Sequence, residues 1–423
     1  MSLRAWILPI VCCLCAVWSP AHAALPPVVE IAFEGNRVTR ESVLAQELLI
    51  REGDPAEPEV IEASRQSLMN LGLFRDVRAE TVPVDGGVAV TFHVTEKYFY
   101  FVLPRFSRNA DGDIRYGGEV RADNVFGFNH QLRLRFEIDE PEGGIEQRGE
   151  RFSMSYQVPR VPGTRFGASL DLGDSNRIRS PSGGNESDRY REHYRYTGFS
   201  LSRWLDRRGP SRGWRMDTGV RWETRRYRVL DSGAQLPESG EDVSWRVGVL
   251  FTDVADFDVR REGVEYGVGL GWGARELGAN RDHQRVDLFY RRYRGLGGEM
   301  PSNLNYQLRA GWASDTPFGE AAYSVGDSSS LRGYSRDYRE GDARLLLNIE
   351  YLRPLFGNPA VRGVVFADAG GVWPSDDVDL TDLLASAGIG LRIKLRWLVR
   401  TELRIDAAWG NESKVYVGTS QTF

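Results

Sequence analysis

The feature that most constrains this chain is an alternation of apolar and polar residues that recurs from residue 98 to residue 423. In residues 131–138, 305–312 and 399–409, mostly apolar residues occupy every second position, and polar or charged residues fill the positions between them. A period of two is typical of a β-strand with two unlike faces. Because no helical pattern interrupts these residues to cover a second face, the repetition favours a closed sheet. A soluble array of β-sandwiches is the alternative.

The number and spacing of the alternating segments indicate the kind of closed sheet. We count sixteen segments, with approximate bounds 98–107, 114–123, 131–139, 150–158, 164–173, 189–204, 213–228, 241–254, 262–274, 283–294, 303–314, 342–353, 361–373, 383–394, 398–409 and 413–423. Membrane barrels of one chain have an even number of antiparallel strands, with short turns at one end and longer loops at the other. The longest connections all follow odd-numbered segments. The sequence therefore predicts a mainly β protein with a 16-stranded antiparallel transmembrane β-barrel over residues 98–423.

Composition agrees with a barrel, excludes a bundle of membrane helices and argues against a nucleic-acid binder. A mean hydropathy of −0.40 and 27% charged residues exclude a bundle of membrane helices, which needs apolar stretches of about 20 residues. Strands that alternate average to an ordinary composition, so a barrel is not excluded. A formal charge of −5 argues against a nucleic-acid partner.

Residues 1–23 have the organisation of a secretory signal peptide. Arg4 precedes an apolar core, and residues 21–23 read Ala-His-Ala, an A-x-A cleavage site. A lipoprotein signal is the rival interpretation, but the residues before Cys12, Cys13 and Cys15 are not the small ones that such a signal needs. The chain after residue 23 has no cysteine, so we expect no disulfide in an exported protein.

Residues 24–97 predict a separate small α/β domain. A strand over 28–33 precedes a helix over about 40–50, for which Thr39 is the expected N-cap, and a second helix over about 58–71 ends at Gly72. Two strands, 74–82 and 88–94, follow around an Asp-Gly turn. The order predicts one compact domain with a three-stranded sheet.

A short motif in the long loop between segments 11 and 12 makes the chain resemble a known family. Leu331, Arg332, Gly333 and Tyr334 are similar to the V/I/L-R-G-F/Y tetrapeptide in the sixth outer loop of the BamA/TamA, or bacterial surface antigen, family. Residues 366–373 resemble its strand-13 motif and residues 124–127 the segment after strand 2. Residues 33–36 and 71–77 resemble one POTRA domain, whereas assembly members of the family have several. The terminal Phe423 resembles the family's closing-strand signal.

The resemblance implies a role for the loop arginine. In the family this residue folds into the lumen and pairs with acidic groups on strands 12 and 13, which by position are Glu350 and Asp368. Alternation within the two segments also assigns both carboxylates to the lumenal face. An arginine fork matches a carboxylate bidentately, and Gly333 permits a tight turn beside it. The rival interpretation is one more solvated loop arginine.

We looked for catalytic and cofactor motifs and predict none. Residues 209–213 match G-x-S-x-G, but a proline precedes Ser211 and a strand follows, which is the wrong context for a nucleophile elbow. The histidines have no metal-ligand spacing, and no glycine-rich phosphate loop is present. We expect no enzyme activity, no metal and no cofactor.

Three functions follow from the predicted architecture and the resemblance. The first is assembly or insertion of outer-membrane proteins, in which the POTRA edge binds a client strand and the seam between segments 1 and 16, near Gly418 and Phe423, acts as a gate. The second is translocation of a client polypeptide through the lumen. The third is a passive channel or an anchoring barrel without assembly activity.

The expected location and partners follow from the same reading. The location is the bacterial outer membrane, with the POTRA-like domain in the periplasm. The expected partners are outer-membrane lipid, unfolded or secreted client polypeptides and a periplasmic protein, while the oligomeric state is left open.

Overall fold

The computed structural model describes residues 25–108, 114–140, 148–179, 189–206, 212–230, 236–297 and 300–419. The predicted leader with its cysteines, Ser211 and Phe423 lie outside these residues. Within the described part, no helix is long and apolar enough to cross a membrane.

The amino-terminal domain is a three-stranded sheet covered by two helices. Its elements are β1 (Val28–Glu34), α1 (Glu41–Ala45), α2 (Pro58–Asn70), β2 (Phe74–Val84) and β3 (Gly87–Glu96). The sheet order is β1-β3-β2, with β1 parallel to β3 and β2 antiparallel to it. Alternate residues of β3 and one face of α2 enclose the core, in which Leu68, Phe74 and Phe92 are fully buried.

The first helix of this domain differs from the prediction. Helix α1 ends at Ala45, about one turn after it begins, and its N-cap is Arg40, which makes no side-chain cap bond. Thr39 is instead buried and donates its hydroxyl to the Glu96 carboxylate at 2.6 Å. The capping prediction was wrong because a carboxylate at the end of β3 competes for the same hydroxyl.

Sixteen antiparallel strands form one continuous sheet that curls into a nearly closed barrel, so the predicted fold class is confirmed. The barrel strands are β4 (Tyr100–Arg108), β5 (Ile114–Val125), β6 (His130–Glu140), β7 (Gly149–Val158), β8 (Phe166–Arg179), β9 (Tyr190–Trp204), β10 (Arg212–Val229), β11 (Gly240–Asp256), β12 (Arg261–Gly273), β13 (His283–Leu296), β14 (Ser302–Ala313), β17 (Ala343–Leu355), β18 (Asn358–Trp373), β19 (Leu384–Lys394), β20 (Glu402–Trp409) and β21 (Ser413–Gly418). A two-stranded ribbon, β15 (Tyr323–Val325) and β16 (Arg339–Gly341), lies in the connection between β14 and β17. The sequence pattern did not indicate this ribbon.

The two faces of the barrel wall follow the alternation. On β18, Val365 is 59% exposed on the outside, whereas Phe366 and Asp368 on the inside are buried. Charged residues can be buried within the lumen because they pair with one another, as Glu119 does with Arg105 and Arg135 on the neighbouring strands and with Arg121 on its own strand. The outer face is apolar and suits lipid.

Among the described residues, the first and last barrel strands meet without a hydrogen-bonded ladder. In the order of the sheet, β4 and β21 are the two ends, and they lie side by side. Near the seam, the Tyr98 amide donates to the Trp397 carbonyl at 2.8 Å. The adjoining outer residues are strongly exposed, at 68% for Val102 and 67% for Val415. Within the described residues, each of the two strands has a strand partner on one side only.

The amino-terminal domain packs on one end of the barrel, which we call the domain end; the opposite end is the far end. Four turns at the domain end contact it. The polar contacts include Arg40 N to Gly127 O (3.1 Å), Arg160 Nη1 to Glu47 Oε1 (3.3 Å), Asp256 N to Asn70 Oδ1 (2.8 Å) and Arg400 Nη2 to Leu71 O (2.9 Å). The domain therefore covers the domain end of the lumen through several turns at once.

The turn between β19 and β20 differs from the prediction. The segment predicted to begin at residue 398 becomes a strand only at Glu402. Val399, which alternation placed on the lipid face, is fully buried in the core of the amino-terminal domain. The reason is tertiary, because this turn is drawn out of the sheet to pack against that domain.

Candidate functional site

The connection between β14 and β17, which we call the lumenal loop, folds into the barrel. Asp327 organises its tip, because its carboxylate accepts the amides of Ser329 and Ser330 at 2.7 and 2.8 Å. This turn directs the next residues into the lumen, where Leu331 and Arg332 have no exposed surface. The Gly-Asp-Ser sequence at residues 326–328 thus shapes a turn.

Arg332 binds carboxylates from three strands. Its Nε and Nη2 donate to the two oxygens of Asp368 on β18, both at 2.7 Å, so this pair is bidentate. Its Nη1 donates to Glu350 on β17 at 2.7 Å and to Asp406 on β20 at 3.2 Å. A guanidinium offers five donors in a rigid fork, which suits several acceptors at once.

Two further arginines balance the charge of this cluster. The lumenal cluster, as we use the term, consists of Arg332, Arg392 and Arg404 with Glu350, Asp368 and Asp406. Arg392 donates to Glu350 at 2.8 Å and also binds Asp406, which Arg404 contacts as well. Every member is at most 3% exposed. Buried charges are tolerated when they are paired and hydrogen-bonded in this way.

Neutral groups complete the shell around Arg332. Asn348 donates to the Ser330 carbonyl at 2.7 Å and to Asp368 at 2.8 Å, so it ties the loop backbone to the same carboxylate. The ring of Phe366 lies 3.4 Å from the guanidinium carbon. A buried cation over an aromatic face is stabilised by the ring quadrupole.

The residues after Arg332 connect the loop to the seam strand. Gly333 has φ +82°, and a Cβ there would lie 2.6 Å from the Gly410 amide nitrogen, so only glycine fits. Its amide donates to the Tyr416 hydroxyl on β21 at 3.0 Å, and its carbonyl accepts the Glu412 amide at 3.0 Å. Tyr334 donates to the Ala385 carbonyl at 2.9 Å.

A charged group in the turn before β21 strengthens this connection. Ser335 donates to Glu412 at 2.9 Å, and Lys414 pairs with the same carboxylate at 3.0 Å. Hydrogen bonds from Lys414 and Ser335 lower the pKa of Glu412 below its ordinary value. These two contacts therefore stabilise the ionised form of the carboxylate.

A second anchor holds the lumenal loop to the opposite wall. Glu320 accepts the Tyr227 hydroxyl at 2.6 Å and pairs with Arg225 on β10. Phe318 is 2% exposed, and its ring lies 5.1 Å from the Arg225 guanidinium carbon. The loop is thus bound at two sides of the barrel and spans the lumen.

The structure places the other residues singled out from the sequence as follows. Gly418 ends β21 opposite Arg404, and a Cβ there would meet no atom within 4 Å. Phe423 lies outside the described residues. Sequence reasoning did not name Asp406, Arg392, Arg404 or Tyr416 as part of the site. Alternation within the last three segments would have assigned all four to the lumenal side.

The lumen contains a small cavity next to the lumenal cluster. A cavity of about 60 Å³ lies beside Glu350 and Arg392, toward the domain end. Sites for small molecules usually measure about 300–1,000 Å³. No group of His, Cys, Asp and Glu residues that could hold a metal ion occurs within the described residues.

These features define a class: outer-membrane barrels of sixteen strands with a small docked domain and a charge-paired loop in the lumen. A model of the Omp85 superfamily domain matches residues 124–423, and a model of the POTRA domain (surface antigen variable number repeat) matches residues 26–97. The chain belongs to the Omp85 superfamily, which confirms the resemblance drawn from the sequence and places the protein in the outer membrane.

Individual relatives are more distant. Over 193 residues the chain is 27% identical to the outer membrane protein assembly factor BamA of Neorickettsia risticii, a match that covers 41% of this chain and 24% of that protein. Among solved structures, CdiB from Escherichia coli matches with a TM-score of 0.66 at 17% identity, covering 94% of this chain and 75% of that one. BamA from Haemophilus ducreyi lacking POTRA domains 1–3 matches with a TM-score of 0.52 at 17% identity, covering 93% and 83%. These structures share the fold.

Proposed function

We propose that this protein assists the assembly and insertion of outer-membrane proteins, with the seam between β4 and β21 as the gate for a client strand. The observation that carries the proposal is the seam itself, where the described residues of two neighbouring strands form no ladder with each other. Unpaired strand edges readily accept another strand, and a client would gain backbone hydrogen bonds with little demand on its sequence. The relative from Neorickettsia risticii is named an assembly factor, which agrees with this proposal.

The lumenal loop is suited to control this gate. It contacts β17, β18 and β20 through Arg332 and β21 through Gly333. Because the loop forms a hydrogen bond with Tyr416 on the last strand, a movement of the loop would change the contacts that fix β21 in the barrel wall. We therefore assign the lumenal cluster the role of a latch on the seam side of the barrel.

The POTRA domain provides a second edge for a client. In the sheet order β1-β3-β2, strand β2 has 11 residues and one strand neighbour. On β1, the Val28 amide and carbonyl are already bonded to residues 53 and 54. Strand β2 is therefore the better edge for β-augmentation. The proposed orientation has this domain and the domain end in the periplasm and the lumenal loop entering from outside.

The loop inside the lumen and the docked POTRA domain argue against a passive channel as the main function. The lumenal loop spans the barrel between the two anchors, and the POTRA domain covers the domain end. Translocation of a polypeptide through the lumen is the second candidate. It requires that the loop leave the lumen.

Site-specific photocrosslinking in cells tests the proposal. A photoreactive amino acid replaces Val415 at the seam or Glu80 on β2, and the matched control replaces Leu288 on the lipid face of β13, remote from the seam. We expect several different barrel precursors to crosslink at both test positions and none at Leu288. One dominant secreted protein would support translocation instead. Equal labelling at all three positions would contradict both assembly and translocation, and would favour a passive channel or an anchoring barrel.

A further inference from the structure

A cluster of basic residues lies on the outer face of the barrel beyond its apolar band. We call it the outer basic patch and define it by Arg191, His193 and Arg195 on β9 with Arg226 and Arg228 on β10. Alternation assigns these residues to the side of Phe199 and Trp222, which is the lipid-facing side. In register, Arg226 is opposite His193 and Arg228 is opposite Arg191.

Aromatic residues on the outer face indicate where this patch lies relative to the membrane. On the same barrel region, one aromatic belt runs through Trp214, Phe251, Tyr266, Tyr290 and Tyr306, whose rings contact one another. A second belt toward the far end contains Trp245 and Trp272, directly opposite each other, and Trp222. Aromatic belts mark the two membrane interfaces.

The spacing on β10 agrees with this assignment. Trp214 and Trp222 are eight residues apart, which is about 26 Å along a strand at about 3.3 Å per residue. With the usual tilt of about 40° this separates the belts by roughly 20 Å, close to the apolar height of such barrels. Arg226 and Arg228 lie four and six residues beyond Trp222, and therefore at the level of lipid headgroups.

Two arginines of the patch, Arg226 and Arg228, are not neutralised by a carboxylate among the described residues. Asp174 accepts from Arg195 at 2.6 Å and His193 at 3.1 Å, and Glu241 lies opposite Thr224 at the lower rim of the patch. Arg191 bonds Asn176 at 3.5 Å. Arg226 and Arg228 are both exposed, and within the described residues neither forms an ion pair with a carboxylate.

We propose that the outer basic patch binds the phosphate groups of an anionic glycolipid headgroup in the outer leaflet. An arginine fork matches phosphate bidentately, and Arg226 and Arg228 on β10 supply two such forks at headgroup height. The patch is continuous with the lipid-facing wall, so the acyl chains of the same lipid would lie against Phe199 and Trp222. The proposal uses the orientation given above but is independent of client handling.

Retention of lipid A in nanodiscs tests this proposal. The full chain is reconstituted in phosphatidylcholine nanodiscs that contain bis-phosphorylated or dephosphorylated lipid A, and native mass spectrometry measures the lipid that stays bound. The test variant carries Arg226→Gln and Arg228→Gln. The matched control, Arg294→Gln, changes an exposed outward arginine at the domain end of β13.

We expect the parent and Arg294→Gln to retain the bis-phosphorylated lipid in preference to the dephosphorylated one. The double variant should lose about tenfold or more of that retention, because each basic residue near an anionic surface contributes to binding. Equal retention by parent and double variant, or an equal loss in the control, would overturn the proposal. Displacement of the lipid by inorganic phosphate alone would identify free phosphate as the ligand and would overturn it too. None of these outcomes predicts a change in photocrosslinking at Val415. The lipid-binding proposal and the proposed assembly function can therefore fail independently.

Discussion

At the scale of single residues, the lumenal loop depends on one arginine that satisfies carboxylates from three strands. Arg332 has no exposed surface, and its fork is shared among Asp368, Glu350 and Asp406. Removing one partner of a buried charge network leaves the others uncompensated, which is more damaging than losing a surface ion pair. In the tetrapeptide 331–334, the last three residues each form a hydrogen bond with an identified partner in the barrel.

Replacing Arg332→Ala should destabilise the barrel. We expect a loss of about 3–5 kcal/mol in the free energy of unfolding, because Asp368 and Glu350 lose their cation in a buried site. Arg332→Lys should lose less, since it keeps the charge but not the fork. The change in the free energy of unfolding is measured by urea titration, with the folded fraction read from the heat-modifiable migration of the barrel in gels. The control is Arg246→Ala, whose side chain is 64% exposed and pairs with Asp217 at 3.4 Å; a similar loss there would contradict the latch.

Two glycines offer a matched comparison. Gly333→Ala should cost about 1–3 kcal/mol, because it forces a side chain into a positive-φ conformation against the Gly410 backbone. Gly418→Ala should leave stability almost unchanged, since its site is open. The same unfolding assay measures both. A large effect of Gly418→Ala, with none for Gly333→Ala, would indicate that the end of β21 matters more than the loop.

At the scale of elements, the lumenal loop acts as a bridge across the barrel. One end is bound to β17, β18, β20 and β21, and the other is held by Glu320 against β10. The two anchors have different chemistry, because the second also buries Phe318 against Arg225. Each anchor can therefore be removed separately.

Removing the second anchor should open the lumen without releasing the first. In planar bilayers, the variant with Glu320→Gln and Phe318→Ala should give larger and more frequent conductance steps than the parent, because that end of the loop is freed. Arg212→Ala is the control, since its partly exposed side chain pairs with Asp253 on β11 and not with the lumenal loop. Unchanged conductance in the double variant would show that Arg332 alone keeps the loop in place.

At the scale of the whole molecule, the POTRA domain and the barrel are joined by a buried ion pair. Lys97, at the end of the domain, lies 2.8 Å from Asp258 in the β11–β12 turn, and both side chains are 4% exposed. Arg396 contacts the same carboxylate from the β19–β20 turn. Asp258 thus connects the domain to two turns of the barrel.

Asp258→Asn should loosen this junction while it keeps the local backbone. Asp258 has φ +67°, a conformation that Asn also accepts. With the carboxylate neutralised, Lys97 and Arg396 repel each other, and hydrogen exchange should increase in residues 97–100 and 395–401. The control is Asp253→Asn, which changes a half-exposed residue on the adjoining strand β11 that pairs with Arg212. Unchanged exchange in Asp258→Asn would contradict a role of this ion pair in docking.

The sequence by itself determined the period of two, and with it the sixteen strands and the face on which each side chain lies. It placed Glu350 and Asp368 on the lumenal side, because parity along a strand is a local property. It also indicated the loop in which Arg332 lies. These features depend on neighbours in the chain.

Only the tertiary structure decided which groups meet. Asp406 joins Arg332 from a strand that lies 74 residues later in the chain, and Val399 leaves the sheet to enter the core of the POTRA domain. Thr39 binds Glu96 instead of capping a helix for the same reason. Such contacts depend on barrel closure, loop path and domain docking, which are set by distances between segments far apart in the chain. The seam is likewise a tertiary feature. Whether β4 and β21 pair depends on how the two ends of the sheet meet, which no local sequence pattern specifies.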